Sequence, residues 1–135
     1  MAIEVYLIFN GNCREAVEFY SKVFNTPLQQ ILTFREGNMS EDMTEEEKDK
    51  IMHTYLNISG NRVMFSDSLP GQPVNIGDNV SLTVLSKDID EITTQFNSLK
   101  EGGRVEMDLQ ETFWSKWYGS LVDKFGVSWQ FSHVD

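Results

Sequence analysis

The chain has 135 residues, a length suited to one compact domain, and sets 11 Lys and Arg against 21 Asp and Glu for a net charge of −10. Such a surface repels phosphate backbones and anionic lipid, and the basic residues are scattered, so neither nucleic acid nor a membrane is expected as a partner. The single cysteine, Cys13, excludes an intramolecular disulfide; no run approaches the ~18 apolar residues of a membrane span, and Met1-Ala2-Ile3-Glu4 lacks a basic or apolar leader, so a cytoplasmic protein is expected.

Ile3–Phe9 alternates apolar and other residues with the period of a strand. Asn10-Gly11 makes a turn, and Asn12 with Glu15 three residues on forms the pattern of a helix-capping box. Cys13, Ala16, Val17, Tyr20, Val23 and Phe24 then recur at helical spacing, with Asn25 and Pro27 to stop the helix. Leu28–Phe34 returns as a strand. Gly37-Asn38 breaks it, and an acidic insert follows: Glu41, Asp42, Glu45, Glu46, Glu47 and Asp49, read as a solvated helix face over about 45–52 with Thr44 and Glu47 as its capping box. His53–Ser59 and Arg62–Ser66 predict a hairpin closed by Gly60-Asn61. Residues 69–78, with two prolines and two glycines, form a linker.

The second half repeats the plan. Val80–Leu85 is a strand, Asp88 caps a helix with Glu91 three residues on, and Ile89, Ile92, Phe96 and Leu99 form its buried stripe before Gly102-Gly103 ends it. Arg104–Leu109 or beyond, Lys116–Val122 and Val127–Ser132 are the remaining strands. The expected fold is α+β: two βαβββ modules, about 3–68 and 79–132, forming a curved, mostly antiparallel sheet in a single domain.

The stretch Tyr6-Leu7-Ile8-Phe9-Asn10-Gly11-Asn12-Cys13-Arg14-Glu15-Ala16-Val17-Glu18-Phe19-Tyr20 and the late run Gln110-Glu111-Thr112-Phe113-Trp114, continuing to Asp123-Lys124-Phe125-Gly126-Val127-Ser128-Trp129, resemble the PhnB-like branch of the vicinal-oxygen-chelate (glyoxalase/bleomycin-resistance/dioxygenase) superfamily. Ile51-Met52-His53 and Met64-Phe65-Ser66-Asp67 add to the resemblance, which runs nearly end to end. It implies paired βαβββ modules around a cleft and a homodimer. Superfamily enzymes hold a divalent metal in that cleft and use it as a Lewis acid. The resemblance puts the four ligands near Val5, near Ser66 or Asp67, near Ser81 and at Gln130. Of these only Asp67 could coordinate, and a neutral amide is a poor replacement for a carboxylate at a transition-metal site. No metal or other cofactor is therefore expected. Some relatives carry a ubiquinone-methyltransferase label, but Asn10-Gly11-Asn12 is too meagre for a donor-nucleotide turn, and no GxGxxG, GxxxxGK[ST] or GxSxG run occurs.

Two residues are candidates for acid–base catalysis: His53, at the start of the third strand, and Glu111, a carboxylate beside Trp rings. If strand alternation continues through 111–114, Glu111 and Phe113 face one side and Thr112 and Trp114 the other. Phe9, Asp67, Trp114, Trp117, Phe125 and Trp129 are the expected ligand-pocket residues, since ligand clefts are lined by aromatics with a few polar groups. Asp123 and Gly126 read as a structural turn, Cys13 as a small buried hydrophobe, and His133 as solvated. The leading expectation is a metal-independent small-molecule-binding protein. The alternatives are a lyase or isomerase with an unusual metal site, a metal-free acid–base enzyme, or a structural dimer without ligand.

Overall fold

The computed structural model describes residues 1–38 and 41–135. Met39 and Ser40, in the acidic insert, lie outside the described residues. The chain forms two compact units, Met1–Asn75 and Ile76–Asp135.

The first unit contains β1 (Val5–Phe9), α1 (Cys13–Val23), β2 (Leu32–Thr33), α2 (Glu45–Lys48), β3 (Ile51–Ile58) and β4 (Asn61–Asp67), with its strands in the order β1-β4-β3-β2. The second contains β5 (Leu82–Ser86), α3 (Ile89–Leu99), β6 (Arg104–Gln110), β7 (Tyr118–Val122) and β8 (Ser128–His133), ordered β5-β8-β7-β6. In each unit the first strand pairs parallel with the last, and the other pairs are antiparallel. The expected α+β plan of two βαβββ modules is present, as two four-stranded mixed sheets.

Period-two alternation decides which side each helix covers. In the first unit, the register pairs Leu7 with Phe65 and Val5 with Val63, and Thr54 lies across from Phe65. Tyr20 of α1 stacks on Phe65 (5.9 Å between centroids), and Phe9 stacks on Phe65 from its own strand. In the second unit, Phe96 of α3 meets Phe131 of β8 edge-on at 5.7 Å. Trp129 and Leu121, paired across β7 and β8, are buried on the same side as Phe131. Each sheet thus has one face covered by its own helix and one face left open. Tyr6, His53, Tyr55 and Met64 alternate onto the open face of the first sheet; Gln130, Ser132, Tyr118 and Ser120 do so on the second.

Several boundaries differ from expectation, each for a local reason. β1 starts at Val5, where pairing to Val63 begins, and Ile3 is fully exposed. β2 shrinks to two residues because Thr54 Oγ1 donates to the Gln30 carbonyl at 3.0 Å, so a side chain holds this stretch where ladder bonds were expected. The capping box of α2 is present, with Thr44 Oγ1 accepting from Glu47 N and Glu47 Oε1 accepting from Thr44 N. That helix stops at Lys48 because Phe34 N and Arg35 N donate to the carbonyls of Lys50 and Lys48 and draw the chain into β3. The hairpin turn is Ser59-Gly60, one residue earlier than predicted. Both residues have positive φ (50° and 83°), as a type I′ turn requires, and this register keeps Leu56 opposite Val63 on the helix side.

Asn12 makes no side-chain cap; the N–H of Cys13 is taken instead by Asp67 Oδ1, 54 residues away. Asp88 caps α3 as expected, accepting from Asp90 N and Glu91 N. After α3, Gly102 has φ of 75°, and a side chain at Gly103 would fall onto the Val122 carbonyl oxygen. The helix stop therefore needs the first glycine for its backbone and the second for close packing. Within the expected linker, Val74 is fastened to the first unit: its N–H donates to Asn10 Oδ1 at 2.7 Å, and its carbonyl accepts from Asn10 Nδ2 at 3.1 Å.

Candidate functional site

The open face of the second sheet carries a continuous line of polar and aromatic contacts. Gln130 on β8 is its centre. Its Nε2 donates to Ser81 Oγ at 2.7 Å, and its Oε1 accepts from the Tyr118 hydroxyl at 2.5 Å. Tyr118 meets the Trp114 ring edge-on at 5.3 Å, and Trp114 meets Phe113 in the same way at 4.8 Å. Register explains the diagonal: Tyr118 pairs with Ser132 and Ser120 with Gln130, so Tyr118 and Gln130 are diagonal neighbours on one face.

The loop 111–117 between β6 and β7 delivers the two outer aromatics. It is not a strand, so the expected alternation of Glu111 and Phe113 against Thr112 and Trp114 does not apply. Thr112 N donates to the Ser115 carbonyl and Ser115 N to Thr112 Oγ1, closing a tight turn. The Ser115 hydroxyl is shared between the carbonyls of Trp117 and His133 and anchors the loop to the end of β8. Phe113 and Trp114 are left 97% and 53% exposed. A cavity of about 620 Å³ opens beside this loop and is lined by Glu111, Trp114, Lys116 and His133 among others. Glu111, a predicted acid–base candidate, is exposed on its wall.

The other sequence-predicted pocket residues lie elsewhere. Trp129 is buried on the helix side of β8, and its indole N–H donates to Asp123 Oδ2 at 2.9 Å. Trp117 donates its indole N–H to Thr93 on α3 at 2.9 Å. Phe125 is buried in the β7–β8 turn, where Asp123 Oδ1 accepts from the N–H groups of Phe125 and Val127, and Gly126 has φ of 90°. Phe9 is in the core of the first unit. Asp67 is 5% exposed, with one oxygen on Cys13 N and the other on Ile51 N. Trp114 is the member of the expected set that reaches an open face. The sequence shows aromatics crowded into residues 113–131, but composition does not say which side of a strand each ring takes.

On the open face of the first sheet, His53 lies with its Nδ1 3.4 Å from the Tyr6 hydroxyl. His53 and Glu111 belong to different units. Sequence reasoning missed Glu4, which joins this face through a two-pronged bond to Arg62 (2.7 and 2.8 Å). A second cavity, of about 360 Å³, lies in the first unit between Asn10, Phe34, Lys50 and the segment 68–73. In the acidic insert, Arg35 and then Lys48 hold the Glu45 carboxyl below its ordinary range.

The positions that the superfamily resemblance assigns to metal ligands are otherwise engaged or lack a donor. Val5 lies on the helix side of β1, paired with Val63; Asp67 has both oxygens engaged by backbone N–H groups; Ser81 and Gln130 are bonded to each other. Among the described residues, no group of three or more His, Cys, Asp or Glu side chains is placed to hold a metal ion. These residues do not fit a divalent transition metal, which needs several charged or imidazole ligands.

Comparison with known proteins gives the relationship. The family described as 3-demethylubiquinone-9 3-methyltransferase matches residues 1–132. The chain belongs to this family. It is 30% identical to Protein YjdN of Escherichia coli, over 99% of this chain and 96% of that protein. Protein PA1353 from Pseudomonas aeruginosa is 37% identical and superposes with a TM-score of 0.85, covering 98% of this chain and 97% of its own. A PhnB protein from Bacillus cereus is 27% identical with a TM-score of 0.82, covering 99% and 100%. The fold extends to the fosfomycin resistance protein FosX of Listeria monocytogenes, at 10% identity and TM-score 0.66 over 100% of this chain and 93% of that one, which shows fold alone. The chain is thus PhnB-like and has the glyoxalase/bleomycin-resistance fold. No helix among the described residues is long and apolar enough to cross a membrane.

Proposed function

We propose that this protein binds a small organic molecule without a metal ion. The observation that carries the reading is the Ser81–Gln130–Tyr118 chain: two positions that the resemblance assigns to metal ligands, one just before β5 and one on β8, are here a hydroxyl and an amide bonded to each other. Such groups recognise a ligand by hydrogen bonding, and Trp114 beside them offers an exposed ring. The methyl transfer named in the family's description is not part of this reading. In the turn after β1, the Asn10 amide is engaged by Val74, and the Gly11 carbonyl by Lys50 Nζ at 2.9 Å.

A homodimer in the cytoplasm remains the proposed setting; sedimentation of the purified chain tests the assembly. Tryptophan fluorescence titrated with a broad panel of neutral and cationic planar compounds, with and without chelator, tests the function. Saturable quenching unaffected by chelator is expected. Binding that appears only with added metal would favour a metal-dependent enzyme, and no response to any compound would favour a structural protein.

A further inference from the structure

The open face of the second unit combines three features that together specify a ligand. First, the line Trp114–Tyr118–Gln130–Ser81 contains no Asp, Glu, Lys, Arg or His side chain, although the chain as a whole carries −10. Glu111 and Lys116 line the cavity beside Trp114, but a charged ligand atom brought against Tyr118, Gln130 and Ser81 would lose water without gaining a counter-charge from those three side chains, which costs far more than desolvating a neutral polar group.

Second, the polar chain has complementary ends. Ser81 Oγ accepts from Gln130, leaving its proton to donate; Tyr118 donates to Gln130, leaving its oxygen to accept. Turning the Gln130 amide over, with both hydroxyls reversing roles, exchanges the two ends at no loss of bonds. The line therefore suits a ligand that carries a donor and an acceptor together, in either order.

Third, the Trp114 ring is held by edge contacts with Phe113 and Tyr118, yet is half exposed. A half-bare indole backed on one side by Tyr118 is a stacking surface for another flat ring.

We infer that this face binds a neutral, planar ligand whose aromatic ring stacks on Trp114 and whose carboxamide or phenol group is read by Tyr118, Gln130 and Ser81. The inference rests on the small-molecule-binding function proposed above and narrows it from neutral or cationic compounds to neutral ones. Benzamide, benzoate and benzamidine test it, being close in shape and differing in charge. In amide-resolved NMR titrations of the full chain in the presence of chelator, benzamide should shift the Trp114 indole N–H and the Gln130 side-chain amide. A fragment of this size should bind in about the millimolar range, at least about tenfold tighter than its two charged counterparts. Gln130→Glu should reverse the order and favour benzamidine. Tyr118→Phe, which removes only the hydroxyl, should weaken benzamide several-fold while leaving the rest of the spectrum in place.

Equal affinity for the three compounds, or shifts confined to residues away from this line, would overturn the inference. If other compounds of the broad panel bind but map to the first unit, the binding function stands and this site falls. If nothing binds, both fall.

Discussion

Asp67 Oδ1, at the end of β4, accepts the backbone N–H of Cys13, the first residue of α1, at 3.0 Å, while Oδ2 accepts the N–H of Ile51 at the start of β3 at 2.9 Å. One buried carboxylate thereby ties the starts of a helix and a strand to the end of another strand, and supplies the negative charge that a helix N-terminus favours. Hydrogen bonds to a charged group contribute more than neutral ones. Asp67→Ala is expected to cost about 3 kcal/mol in urea unfolding at neutral pH, with Asp67→Asn in between because the amide keeps one acceptor. A loss below about 1 kcal/mol for the alanine variant would contradict the assignment of a structural role.

Cys13, whose N–H that carboxylate accepts, has a fully buried thiol. Burial, and then the charge of Asp67, push its pKa far above the ordinary thiol value. The folded protein thus keeps a proton that the unfolded chain releases above about pH 8.5. This contribution to stability is whole below that pH and is lost as pH rises past it, at a slope approaching about 1.4 kcal/mol per pH unit. The difference in unfolding free energy between wild type and Cys13→Ala, measured from pH 7 to 10, should be flat at first and then fall. A constant difference across the range would refute the buried, protonated thiol.

The two principal helices start differently, and mutation should separate them. Asp88→Ala removes an oxygen that accepts from Asp90 N and Glu91 N, and is expected to cost about 1 kcal/mol. Asn12→Ala should be close to neutral, because Asn12 makes no cap bond and Cys13 is served by Asp67. Paired thermal melts check both; equal losses would be inconsistent with the geometry.

These caps show how far the sequence is legible. Asn12/Glu15 and Asp88/Glu91 have the same local signature, yet only the second caps by its own side chain. Local patterns can be read along the chain, whereas a partner 54 residues distant, such as Asp67 for Cys13, exists only after β4 is placed beside β1. The element order, the duplicated plan and the β7–β8 turn built on Asp123 and Gly126 were readable because they depend on period, turn chemistry and spacing. The site was less readable. Trp114 and Trp129 both lie in an aromatic-rich run, but the parity of β8 sends Trp129 to the helix side while an irregular loop leaves Trp114 in the open. The Ser81–Gln130 bond joins β8 to the residue before β5, 49 positions apart, and nothing in either residue announces it.

The tryptophans should therefore respond in opposite ways. Trp129→Ala empties a site that is 2% exposed and is expected to cost about 3–5 kcal/mol of stability. Trp114→Ala should leave the melting temperature nearly unchanged and abolish ligand-dependent fluorescence quenching. A stable Trp114→Ala variant that still binds would remove this ring from the site.

The central claim, that neutral side chains have taken over strand positions used elsewhere for metal ligands, is tested most directly by the metal content of the purified protein together with its melting curve before and after chelator. The account predicts substoichiometric zinc, nickel and manganese and superimposable curves. A stoichiometric divalent ion, with a melting temperature that falls on chelation and returns when the ion is restored, would contradict it.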